Sequence, residues 1–212
     1  MRINRLIAAC LLPLALANVG TANANVIYSV NLNTTQLAGA PGEIALAFQL
    51  NDGGGIGDSN NVVMLSNFTF GGGSASSCPL NCLPIGDASG DANTAITLVD
   101  TYFFNSIAHR FTPGSNLSFL LEMSTYLDVS GTPDLFGFSI LKEGIAIPTF
   151  DDLAADNFLY FNIDSDNPTS FAFASTNAGR GAVNAPVVVS AVLPPPPPPP
   201  LRRKETCLSQ AV

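Results

Sequence analysis

The feature that most constrains what this chain can fold into is an alternation of apolar and polar side chains. It recurs in short runs, each closed by a cluster of turn-forming residues. Residues 43–50 show it best: Ile44, Leu46, Phe48 and Leu50 fall on one side, Glu43, Ala45, Ala47 and Gln49 on the other. Successive side chains of a strand point to opposite faces, so such a run is a strand with one dry face and one wet one. Residues 26–32 repeat the device with Val26, Tyr28, Val30 and Leu32 together. Further runs at 62–70, 95–104, 116–127, 135–141, 158–163, 169–175 and 187–192 bring the expectation to about nine strands. Turn clusters separate them, among them Asn51-Asp52-Gly53-Gly54-Gly55, Gly71-Gly72-Gly73-Ser74 and Thr112-Pro113-Gly114-Ser115. Asp164-Ser165-Asp166-Asn167-Pro168 is short enough to close a hairpin. Short strands with one apolar face each can hide that face only by stacking two sheets or closing a barrel. The expected fold is therefore all-β, a jelly-roll-like antiparallel β-sandwich. One short helix is expected at 150–157, where Asp151 and Asp152 would complement the dipole of its first turn.

The two ends of the chain depart from this pattern. Arg2 and Arg5 precede an apolar run from Leu6 to Ala17, and Thr21-Ala22-Asn23-Ala24 supplies the small residues that a signal peptidase accepts. The run is interrupted by Pro13 and Asn18 and falls short of the roughly 20 residues of a permanent span, so residues 1–24 are expected to be a signal peptide cleaved after Ala24. A lipoprotein signal ending at Cys10 would strand Leu11 to Ala17 beyond the cut, which favours ordinary cleavage. At the far end, Pro194 to Pro200 are seven consecutive prolines. With no N–H to give to a sheet, they form an extended polyproline II rod. The expected organisation is thus a signal peptide, a sandwich domain over 25–193 and a disordered polyproline and basic tail over 194–212, acting as spacer or stalk.

Charge narrows the partners. Between residues 25 and 193 the basic side chains are Arg110, Lys142 and Arg180, against fifteen Asp and Glu. So acidic a field repels nucleic acid and anionic lipid and leaves cations and neutral polymers as the compatible partners.

Few residues carry candidate chemistry. Cys78 and Cys82 enclose Pro79-Leu80-Asn81, and in an oxidising compartment they are expected to pair as a disulfide. The rival use of such a pair, zinc, calls for two more ligands close by, and His109 has no adjacent companion in the sequence. His109 itself is expected at the surface or at a strand end, without a catalytic role, and no Gly-x-Ser-x-Gly elbow accompanies it. No cofactor is required. Structural calcium has weak candidates in Asp164 and Asp166, beside the single imperfect repeat Gly54-Gly55-Ile56-Gly57-Asp58. The acidic loops, including Asp87 to Asp91, are expected to form ordinary Asx turns. With no tryptophan in the chain, the aromatic platforms for a glycan are Tyr102 and Tyr126, since Tyr28 and Tyr160 lie in strand patterns that face a core.

The segment from Tyr28 to Gly39 (YSVNLNTTQLAG), followed by a strand ending Phe48-Gln49-Leu50-Asn51, resembles the opening of a family of exported PEP-CTERM proteins. The likeness continues through Leu65-Ser66-Asn67-Phe68, Leu117-Ser118-Phe119, Phe136-Gly137-Phe138-Ser139-Ile140 and Phe161-Asn162-Ile163-Asp164, covering most of 28–192. The resemblance implies an exported protein of a Gram-negative bacterium, periplasmic or extracellular, in a class associated with exopolysaccharide production and envelope sorting. Such proteins end in Pro-Glu-Pro, a hydrophobic span and a basic tail. Here the prolines run directly into Leu201-Arg202-Arg203-Lys204, as a frameshift near Pro194 would produce. The expected function is a noncatalytic surface or extracellular-matrix protein associated with polysaccharide. A dedicated carbohydrate-binding module is the second reading and a secreted hydrolase the third.

Overall fold

The computed structural model describes residues 25–54, 57–126, 132–153, 155–164, 167–176 and 183–190. The expected signal segment with its cleavage after Ala24, and the polyproline tail, lie outside the described residues. The strands in chain order are β1 (Val26–Asn33), β2 (Ile44–Asn51), β3 (Val62–Thr69), β4 (Ser74–Ala75), β5 (Cys82–Ile85), β6 (Asp87–Gly90) and β7 (Ala95–Val99). There follow β8 (Phe104–Thr112), β9 (Asn116–Met123), β10 (Asp134–Lys142), β11 (Ile145–Ala146), β12 (Leu159–Ile163), β13 (Thr169–Ala172) and β14 (Val187–Ser190).

They form two antiparallel layers. One runs β14-β1-β9-β3-β7-β6, the other β13-β12-β10-β2-β8-β4, with β5 also paired to β8 and β11 to β10. From β1 to β2 to β3, and again from β7 to β8 to β9, the chain changes layer at every step. First and last strands of that circuit, β1 and β9, lie side by side in full register from Val26↔Met123 to Asn33↔Asn116. This is jelly-roll winding, extended by β10, β12 and β13 on one layer and by β14 on the other.

The dry faces meet in a phenylalanine-rich core. Phe48 of β2 stacks on Phe138 of β10 at 5.1 Å between ring centres and meets Phe119 of β9 edge-on across the layers at 5.6 Å. Tyr28 of β1 packs on Phe161 of β12 at 4.7 Å, so Tyr28 faces the core as its alternation requires. Edge-to-face and offset pairs of this kind contribute about 0.5–1.5 kcal/mol each beyond the area they bury. Tyr160 is buried too, but on the opposite side of β12 from that core, stacked on Phe171 at 4.7 Å with its hydroxyl donating to Asp152. Burial first, and then the Asp152 carboxylate, push its phenol up to about 12.

Four expectations need correction. The nine anticipated strands are fourteen among the described residues, because β4, β5, β6, β8 and β11 lacked legible alternation. The run at 95–104 is not one strand: β7 stops at Val99 and β8 opens at Phe104 after a turn. Ala45, assigned to the wet face, is buried where β2 is flanked by Arg110 and Leu141. Among the described residues of 150–157 no helix forms. There the Asp151 carboxylate accepts the Leu153 N–H at 2.8 Å and the Asn157 N–H at 3.1 Å, and Asp156 takes a positive φ of 56°, so the backbone is held by a side chain rather than by helical bonds. By contrast the two strands expected to flank the 164–168 turn do pair antiparallel, β12 with β13 from Leu159↔Ala172 to Asn162↔Thr169.

Candidate functional site

Strand direction brings the loops β2–β3, β7–β8 and β9–β10 to one end of the sandwich, the end at which β1 begins. Three of these strand ends carry an aspartate one step beyond, or at the start of, the alternating run: Asp52 after β2, Asp100 after β7 and Asp134 opening β10. All three are buried. Asn61 ties Asp100 and Asp134 together. Its N–H donates to Asp100 Oδ2 at 3.0 Å, its amide donates to Asp134 Oδ2 at 2.7 Å and to the Tyr126 carbonyl at 2.8 Å, and its Oδ1 accepts the Tyr126 N–H at 2.9 Å. Gly53 N–H adds a 2.7 Å bond to Asp134 Oδ1, and Gly57 N–H a 2.6 Å bond to Asp52 Oδ2. Gly57 has φ of 71°, and a Cβ there would fall 2.1 Å from the Thr101 carbonyl oxygen, so this position is closed to other residues.

Asp100 is the strained member. It is 0% exposed, and its Oδ1 has no hydrogen-bond partner. Burial raises its pKa, the Asn61 bond opposes that, and the facing Asp134 and the nearby Asp58 raise it further, to about 7. Like charges so placed do not both ionise readily, so burial and the facing Asp134 favour the protonated form of Asp100.

Tyr126, anchored through its backbone by Asn61, is 45% exposed and walls a groove of about 310 Å³ on the outer face of the first layer. Val62 and Met64 of β3, Glu122 of β9 and Ser124 just beyond it form its floor, with Asn25 and Asn60 at the rim. Asn25 donates to Glu122 Oε1 at 2.8 Å, which fixes the carboxylate in the groove. Tyr102, the other anticipated platform, is 58% exposed but stands on the β7–β8 turn beside the exposed Phe103, outside this groove. The two tyrosines therefore share an end of the molecule but not a pocket. Of the calcium candidates, Asp164 is exposed just after β12, and Asp166 lies outside the described residues. Asp58 and Asp91 do form Asx turns, accepting the Asn60 and Asn93 N–H groups two residues on.

A second constellation lies toward the opposite end. Cys78 and Cys82 are joined as a disulfide, with Cα atoms 5.3 Å apart. Cys82 opens β5 and pairs directly with His109 of β8. His109 is not at the surface: it is 0% exposed, on the same inward-facing row as Ile107 and Phe111. Its Nδ1 donates to the Arg110 carbonyl at 3.0 Å, and its Nε2 accepts the Ala92 N–H at 3.1 Å, with Asp91 Oδ1 3.3 Å away. Asp91 also accepts the Cys78 N–H at 2.9 Å. Partial burial works to raise the Asp91 pKa, but the bonds it accepts from the Cys78 and Asn93 N–H groups and from the Asn93 amide outweigh it and hold the carboxyl at about 2. The sequence hid this meeting because β5 and β6 are short and do not alternate.

Comparison with family models, curated proteins and solved structures yields no match to this chain. Among the described residues no helix is long and apolar enough to cross a membrane.

Proposed function

We propose that this chain is an exported, noncatalytic surface or matrix component of the PEP-CTERM type that associates with neutral extracellular polysaccharide through the Tyr126 groove. The observation that supports this reading is the composition of that groove. An aromatic ring offers a face to the apolar side of a sugar, while Asn25, Asn60, Glu122 and Ser124 offer donors and acceptors for hydroxyl groups. An acidic chain favours a neutral polymer over a uronate, because like charge opposes approach. The disulfide is compatible with an oxidising compartment. Burial of the chain's single histidine keeps it from acting as a base toward a substrate in solvent, which favours binding over hydrolysis.

The test is retention of the purified protein on immobilised neutral and acidic exopolysaccharides. Tyr126→Ala is expected to lower retention on the neutral polymer at least fivefold, with Tyr102→Ala as the matched control outside the groove. Equal loss in both variants would move the contact to the whole end of the sandwich, and retention unchanged by Tyr126→Ala would reject the groove. Turnover of the polymer would reject the noncatalytic reading.

A further inference from the structure

The Cys78, Cys82, Asp91 and His109 side chains present one sulfur, one sulfur, one carboxylate oxygen and one imidazole nitrogen, all within 4.8 Å of one another. We propose that the reduced chain holds a zinc-class divalent cation at these four residues, and that this metal site and the disulfide are alternative states of one cluster.

The donor set is that of a closed, four-coordinate zinc site: two thiolates, an imidazole and a carboxylate, with no position left for substrate. The imidazole is already oriented for it. Donation from Nδ1–H to the Arg110 carbonyl puts the ring proton on Nδ1 and leaves the Nε2 lone pair facing Asp91 and the cysteines. A metal-bound histidine is characteristically held in this way, its second nitrogen donating to a backbone carbonyl. When the disulfide is closed, the Ala92 N–H occupies that lone pair. Asp91 is likewise aimed: the Cys78 N–H bonds Oδ2, and the Asn93 N–H and amide bond Oδ1, which lies 3.3 Å from His109 Nε2. Three of the four ligands sit on a strand or directly beside one: His109 is on β8, Cys82 opens β5 opposite it, and Asp91 directly follows β6, while Cys78 lies in the turn before β5.

Charge also balances. Exchanging the disulfide for two thiolates and one dication adds two negative and two positive charges, so the cluster carries the same net charge in both states. Closing the disulfide from two thiols releases two electrons and two protons to an oxidant such as another disulfide, which becomes a dithiol. Metal binding by the two thiols instead releases two protons and transfers no electrons. The nascent, reduced chain therefore meets two competing fates, oxidation or metal capture.

The experiment titrates the full chain, reduced with a phosphine under anaerobic conditions, with Co²⁺ as a spectroscopic stand-in for Zn²⁺. One equivalent is expected to produce thiolate charge-transfer absorption and the intense visible bands of a tetrahedral site, and Zn²⁺ is expected to displace it. His109→Ala and Asp91→Asn are each expected to weaken the metal roughly tenfold or more. Asp91→Asn is nearly isosteric at a partly exposed side chain, so it decides the matter if His109→Ala does not fold. Absence of the charge-transfer band in the reduced wild type would overturn the proposal. So would affinities unchanged in Asp91→Asn, since the cysteines alone would then account for binding. The oxidised chain is expected to give no thiolate band, and a band of equal strength there would place the metal elsewhere and also reject the site.

Discussion

The buried Asp100 makes a prediction about pH that can be worked through from the structure. Its carboxyl moves from the ordinary 3.8 up to about 7, chiefly by burial, with Asp134 and Asp58 adding to it. Between those values the folded chain keeps a proton that the unfolded chain has released, so stability falls as pH rises across the window and levels off above about 7. At about 1.4 kcal/mol per tenfold the full displacement corresponds to about 4 kcal/mol. Coupling to the titration of Asp134 reduces what one site can show, and about 2 kcal/mol is the working figure. Asp100→Asn keeps the acceptor for the Asn61 N–H, removes the charge and lets the amide donate toward Asp134. It imitates the protonated acid, so the variant and wild type are expected to have similar stability near pH 4. Their difference is expected to widen steadily to pH 7 and then hold. For a domain of this size about 2 kcal/mol corresponds to roughly 4–8 °C in Tm. Thermal melts of both proteins at half-unit pH steps, in chelator so that no stray cation compensates the charge, give the comparison directly. A difference independent of pH would refute the reasoning, and a variant less stable than wild type at pH 8 would mean that the ionised Asp100 is favourably held.

Two further substitutions address the loops and the cysteines. Asp151→Ala strips the acceptor from the Leu153 and Asn157 backbone N–H groups and from the Asn157 amide; a loss of about 2–3 kcal/mol in urea denaturation is expected, and a loss below about 0.5 kcal/mol would show that water replaces the carboxylate without cost. Replacing both Cys78 and Cys82 by Ser opens a ring of five residues, for which chain entropy gives a loss of about 2 kcal/mol. An unchanged denaturation midpoint would show that the β5–β8 pairing alone fixes this loop.

Legibility in the sequence followed the chemistry of each strand. Where inward positions are uniformly apolar, as in β2 and β9, alternation marked the strand to within a few residues. β8 was missed because two of its inward positions are polar, Asn105 and His109, and a polar side chain at a core position erases the pattern that announces the core. Asn105 is tolerated there because its Oδ1 accepts the Asp87 N–H at 2.9 Å and its amide donates to the Tyr102 carbonyl. The Asp151 loop was misassigned for a related reason. Acidic residues at 151 and 152 suit a helix start, yet a carboxylate can satisfy loop N–H groups directly, and only the approach of Asn157 distinguishes the two.

By itself the sequence determined the all-β class of the fold, because one-sided strands separated by turns bury their faces by stacking two sheets or closing a barrel. It also led to the Cys78 and Cys82 pairing, since two cysteines four apart in an oxidising compartment most simply join as a disulfide. Tertiary structure alone decided which residues meet. Asp100 and Asp134 are 34 positions apart, and His109 lies 27 from Cys82 and 18 from Asp91. They come together because antiparallel winding returns strand ends to the same edge of the sandwich, and register, once fixed by the buried phenylalanines, leaves each of these polar side chains one place to go.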